Sequence, residues 1–122
     1  MINVNQVFKS FAHAISGLKT VFQFEQSFRL QTVAACVAVG LALLLHIKQN
    51  EFIVILLLVA SVLTLELLNS VLERLVDAFK PRIHPIVKEV KDMMAATVLL
   101  ASFFACVIGV LIFYPYFRLL FY

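Results

Sequence analysis

Charge, glycine, proline and cysteine are all scarce in this chain, and each scarcity removes a class of protein. Of its 122 residues only 14% are charged while 63% are hydrophobic. Soluble domains run nearer roughly a quarter charged and half apolar, so the composition is that of a membrane protein. Three glycines and three prolines leave little room for a turn-rich β-barrel. A barrel would also need alternating segments of roughly ten residues, and the apolar runs here are far longer. The glycines, Gly17, Gly40 and Gly109, are too dispersed to form a phosphate-cradling loop, which excludes nucleotide sites of the Walker and protein-kinase types. Cys36 and Cys106 both fall in apolar runs, without metal-ligand spacing or a disulfide framework, and read as packed thiols. The net charge of +3 is small and its basic residues are spread among apolar stretches, which argues against a nucleic-acid partner. The length supports a single domain.

What is present is a set of long apolar segments. Residues 1–28 come first and are mixed: Val4, Val7, Phe8, Phe11, Ala14, Ile15, Leu18 and Phe22 recur at three- and four-residue spacing, with Lys9, His13, Ser16 and Lys19 between them. That pattern predicts an amphipathic helix lying in the membrane interface. It lacks the compact apolar region and small-residue cleavage site of a signal peptide. Residues 29–47, 52–78 and 93–114 predict three transmembrane helices, each meeting the requirement of about 20 residues. Gly40 with Ala34, Ala35, Ala38 and Ala42 in the first span, and Ala95, Ala96, Ala101, Ser102, Ala105 and Gly109 in the third, offer small surfaces for close helix approach. His46 to Glu51 reads as a short polar turn, and residues 79–92, with Pro81 and Pro85, as the one substantial loop. Pro115 is expected to end the third span, leaving an aromatic tail.

Basic residues set the orientation. Lys9, Lys19 and Arg29 precede the first span, and Arg74, Lys80, Arg82, Lys88 and Lys91 surround the second loop, leaving Lys48 and Arg118 on the other side. The positive-inside rule then places the N-terminus and the 79–92 loop in the cytoplasm and the C-terminus outside, in a multi-pass membrane protein.

The second span carries the chemistry. Glu66, Asn69, Glu73 and Asp77 stand at i, i+3, i+7 and i+11, on one face of a helix whose other residues are largely aliphatic. A carboxylate inside an apolar helix is costly in lipid and normally faces a partner helix, water or an ion. Glu66 is the deepest, with no charge between Phe52 and Leu65. Topology gathers Glu25, Arg29, Arg82, His84, Lys88, Lys91 and Asp92 at the same boundary. Carboxylates beside cations there suit Mg²⁺–nucleotide chemistry, since Mg²⁺ takes one or two carboxylates plus phosphate oxygens, and Lys or Arg neutralises phosphate. A small transporter or a proton relay fits these residues equally well.

A family resemblance distinguishes these readings. ELLNSVLERLVD, from Glu66 to Asp77, resembles the signature of the small prokaryotic membrane diacylglycerol kinases, a family that includes undecaprenol kinases. KDMMAATVLLAS, from Lys91 to Ser102, resembles its second signature, and FEQSFRLQ, from Phe24 to Gln31, the segment before its first span. The likeness covers nearly the whole chain. It implies a homotrimer that uses ATP and Mg²⁺ to phosphorylate a lipid alcohol at the cytoplasmic face, with diacylglycerol expected first and undecaprenol second, and with active sites shared between subunits. Carried over by position, Glu66 would be the general base, Glu25 and Glu73 the metal-binding acids, and Lys91, Asp92 and His84 nucleotide contacts. His13 stands where an aromatic often lies against the nucleotide. Asn69 and Arg29 would border the lipid together with Gln31, which replaces an acid found in some members.

Overall fold

The computed structural model describes residues 1–79 and 84–122, with the backbone alone at 84. Its helices follow one another as α1 (Val4–Phe24), α2 (Gln26–Leu44), α3 (Gln49–Ala78) and α4 (His84–Phe121), and no strand occurs among the described residues. The last three are long and apolar enough to cross a membrane. The chain is an all-helical integral membrane protein, with an amphipathic helix ahead of three candidate spans.

In α1, the Asn3 side chain accepts a hydrogen bond from the Asn5 amide at 3.1 Å and caps the first turn. Val21 is buried, whereas Phe8, Phe11, Ile15, Leu18 and Phe22 stay exposed, as an interfacial helix requires. The break from α1 to α2 falls at Glu25, which is extended (φ −107°, ψ 109°), rather than at residue 28 as the sequence suggests. Arg29 accounts for the shift. Its Nη1 reaches back to donate to the carbonyls of Gln23 (2.8 Å) and Phe22 (3.4 Å), oxygens that the end of α1 leaves open. Phe28 is buried in the first turn of α2.

The turn into α3 is a Schellman closure. The His46 amide donates to Leu43 and the Ile47 amide to Ala42, both at 3.3 Å, with His46 itself left-handed at φ 49°. Across this turn the Lys48 amide donates to the Tyr116 hydroxyl (3.1 Å) and to Glu51 Oε2 (3.3 Å), while the Tyr116 hydroxyl donates to Glu51.

α3 and α4 run antiparallel and stay in step. At one end Glu51 meets Tyr116, and at the other Lys91 Nζ donates to Asp77 Oδ1 at 2.6 Å. The separation is 26 residues along α3 (51 to 77) and 25 along α4 (91 to 116), a span of about 39 Å at 1.5 Å per residue. Pro115 therefore sits inside α4 without ending it, and Tyr116 arrives where a continuing helix puts it. Membrane helices tolerate such prolines because neighbouring groups and local adjustments satisfy the freed backbone. The expected loop is likewise shorter: helix resumes at His84, and Pro85 lies in the first turn, where its missing N–H has no role. Pro81 lies outside the described residues.

Little of this surface is buried within one chain. The core consists of Val21, Phe28, Ala42, Ile55, Val62, Val87 and Val98, while Leu99, Leu100, Phe103, Phe104, Val110 and Leu111 are exposed. Cys36 and Cys106 are exposed rather than packed, because α2 and α4 each turn only one side to the bundle. A Cβ added at Gly40 or Gly109 would meet nothing within 4 Å, so those small positions are not closed over by this chain; Ala42, 2% exposed, is. Between α2, α3 and α4 lies an open apolar groove of about 770 Å³ with Gln31 and Ser102 among its lining residues.

Tyr116→Phe removes the hydroxyl that joins the α2–α3 turn to α4. It is expected to lower stability by about 1 kcal/mol, the usual net value of such a bond, with activity unchanged at low temperature. Denaturant unfolding in detergent micelles measures it.

Candidate functional site

The polar face of α3 divides between two neighbours. Glu66 is 3% exposed and its Oε2 accepts a hydrogen bond from Ser27 Oγ of α2 at 3.1 Å. One turn further, Asn69 Nδ2 donates to Glu73 Oε1 at 3.4 Å. Both residues line a narrow crevice, too tight to hold a water molecule, against Val90, Lys91 and Met94 of α4. Asp77 then meets Lys91. The sequence's four-residue face is real, with α2 against its deepest member and α4 along the rest.

Depth follows from helix length. α3 has 30 residues, about 45 Å, against a hydrocarbon layer of about 30 Å. Counted from Phe52, Glu66 lies about 21 Å along the axis, Glu73 about 32 Å and Asp77 about 38 Å. Glu66 is thus inside the apolar layer, about 9 Å short of its boundary, and Glu73 and Asp77 are at or beyond that boundary.

The elbow between α1 and α2 is braced on the same stretch of α3. Arg74 Nη2 lies 3.9 Å from Glu25 Oε1, and its guanidinium sits 5.8 Å from the centre of the Phe24 ring. Half-exposed ion pairs of this kind contribute little stability, at most about 1 kcal/mol, yet this one places Glu25 beside the residue that follows Glu73. Ser70, one turn from Glu66, is 2% exposed and donates to the Glu66 carbonyl at 3.0 Å. Buried Asn69 Oδ1 has no hydrogen-bond partner among the described residues, an acceptor left open beside the acids.

The remaining sequence-derived candidates are dispersed. Lys91 is engaged with Asp77. Asp92 is exposed on α4. Arg29 caps α1, and Gln31 Nε2 donates to Ser102 Oγ at 3.0 Å. His13 is exposed on α1, 12 residues before Glu25 and so about 18 Å from the elbow along the axis. Arg82 and the His84 side chain lie outside the described residues. Among the described residues, no three carboxylate, imidazole or thiol groups converge as a metal cage. Mg²⁺ that arrives with a nucleotide needs fewer, since phosphate oxygens and water complete its shell, and the Glu25 and Glu73 carboxylates are the kind of donor it takes.

Sequence reasoning missed Ser27, Ser70 and the Glu25–Arg74 pairing. Ser27 was accessible in principle, since antiparallel spans put the start of α2 level with the later part of α3. Ser70 falls on the Ser/Thr position of the Glu66–Asp77 signature, which gives it no role of its own.

Fold and site together define a small three-span helical membrane protein with an acidic site at one membrane boundary. A family model for prokaryotic diacylglycerol kinase matches residues 12–113. An undecaprenol kinase of Bacillus subtilis is 36% identical over 92% of this chain and 91% of its own length. A diacylglycerol kinase of Haemophilus influenzae is 31% identical over 88% of each chain, and that of Escherichia coli K12 is 28% identical over 92% of each. The chain belongs to the prokaryotic diacylglycerol kinase family and is a lipid kinase.

Ser70→Ala should be nearly neutral. Ser70→Leu forces volume into a filled position and should destabilise by about 1–3 kcal/mol, read as a lower denaturation midpoint in micelles.

Proposed function

We propose that the chain transfers the γ-phosphoryl group of ATP, with Mg²⁺, to the hydroxyl of a membrane lipid at the cytoplasmic face of the inner membrane. The observation that carries this reading is the buried Glu66 carboxylate, held inside the apolar layer by a neutral donor. A lipid's hydroxyl meets it from within the membrane, and a base near the accepting hydroxyl is what phosphoryl transfer asks of the protein. Glu66 takes the proton as the oxygen attacks phosphorus. The open Asn69 Oδ1 is suited to accept from the same hydroxyl and orient it.

Mg²⁺, when bound with ATP, neutralises charge on the phosphate oxygens. Glu25 and Glu73 would hold it, and Lys91, Asp92, His84 and His13 would border the nucleotide. Lys91 then exchanges its contact with Asp77 for phosphate. Arg29 and Gln31 lie on the lipid's side of the site. The broad unburied face of the spans supports assembly as a homotrimer with sites completed between subunits, N-terminus in the cytoplasm and C-terminus outside.

For the acceptor, undecaprenol moves ahead of diacylglycerol. Identity to the Bacillus subtilis undecaprenol kinase, 36% over 92% of the chain, exceeds the 28% over the same share for the Escherichia coli diacylglycerol kinase. Purified protein with radiolabelled ATP and both lipids in micelles tests this. Preferential labelling of undecaprenol supports the assignment, preferential labelling of diacylglycerol reverses it, and labelling of neither rejects the kinase reading. Glu66→Gln, which cannot take a proton, should slow transfer at least about 100-fold; a rate near wild type removes the base. Glu73→Gln should raise the Mg²⁺ concentration needed for half-maximal rate and recover partly at high Mg²⁺. An unchanged titration curve takes Glu73 out of the metal site.

A further inference from the structure

We propose that Ser27 is a positioning residue for phosphoryl transfer, holding one oxygen of the Glu66 carboxylate so that the other faces the lipid hydroxyl. The inference rests on the reading of Glu66 as the base. Its ground is the 3.1 Å contact from Ser27 Oγ to Glu66 Oε2. Among the described residues, Ser27 supplies the one side-chain hydrogen bond that this carboxylate receives. A glutamate turns about three side-chain bonds, and burial alone does not choose among the rotamers. A donor on one oxygen does.

The charges around it point the same way. Arg74, one face round α3, is directed to Glu25, and Lys91 to Asp77. Glu66 receives a neutral hydroxyl instead. A hydroxyl fixes the orientation of a carboxylate through one directed bond.

The local backbone exists to bring this hydroxyl in. Ser27 is the second residue of α2, just past the extended Glu25. Arg29, capping the carbonyls of α1, and Arg74, paired with Glu25, fix the elbow from both sides. Ser27 is exposed on that elbow while its hydroxyl reaches a carboxylate that is nearly closed off. In the reaction the proton passes from the lipid hydroxyl to Glu66 Oε1, the lipid oxygen forms its bond to phosphorus, and ADP leaves with the electron pair of the broken P–O bond. Ser27 keeps its own proton throughout.

The experiment compares Ser27→Ala, Ser27→Thr, Glu66→Gln and the Ser27→Ala/Glu66→Gln double variant as purified full-length protein in lipid-containing micelles. Rates are measured against ATP and against lipid. Ser27→Ala is expected to lower kcat about tenfold or more, the scale of losing orientation at a reacting group, with both KM values within about twofold of wild type. Ser27→Thr, which retains the hydroxyl, should recover most of the rate. In the Glu66→Gln background, Ser27→Ala should change the residual rate by less than about twofold, because a residue that acts through the carboxylate has nothing left to act on. An undiminished kcat in Ser27→Ala overturns the proposal while leaving the base in place. A full further loss in the double variant, or a change confined to KM, does the same. A Glu66→Gln enzyme that turns over at the wild-type rate removes the base itself, and the role of Ser27 with it.

Discussion

A carboxylate in an apolar layer needs a partner, and the position of Glu66 sets that requirement for the whole chain. Lipid offers it neither water nor counter-ion, so the protein must bring a polar group to the same depth. Here that group comes from a different helix, 39 residues away in sequence. Bringing it there requires an antiparallel α2, a break in the chain just before Ser27, and a capped end to α1 that gives the Phe22 and Gln23 carbonyls a partner. The elbow and the buried acid are one solution to a single solvation problem.

The outer part of α3 follows a different rule. Past the apolar layer, Glu73 and Asp77 have water available; Glu73 accepts from Asn69 within α3, and the Asp77–Lys91 pair joins α3 to α4 where lipid no longer presses the helices together. The same face thus passes from a neutral hydrogen bond in the layer to an ion pair outside it. Charge pairing increases as the surroundings become more polar, which is the order that desolvation costs favour.

Much of this was legible from the residues alone. Long apolar runs gave the three spans and the surface helix, and the 3.6-residue period placed Glu66, Asn69, Glu73 and Asp77 on one face. Boundaries were less legible. The break at Glu25 carries no glycine or proline; it depends on Arg29 reaching back six and seven residues to carbonyls that a local pattern does not mark. Pro115 looked like a stop because the sequence does not reveal the Tyr116–Glu51 contact that holds the next turn in line. Ser27 was overlooked for a third reason: its importance lies in a contact between segments, and a serine one residue from an expected boundary looks like any other until the antiparallel spans are laid side by side.

The two contacts that hold α3 and α4 in step, one near each end, make the intervening length a fixed quantity. A residue inserted or deleted in α3 between Phe52 and Val76 would turn everything beyond it by about 100° and slide it by about 1.5 Å. Either Asp77 would lose Lys91 or Glu51 would lose Tyr116, and Glu66 would no longer stand in the same angular relation to both ends. Homologous chains should therefore conserve the residue count of this stretch, with side-chain variation falling at positions other than Glu66, Asn69 and Glu73. Gains and losses of residues should gather outside the two contacts, between Asp77 and Lys91 and beyond Tyr116.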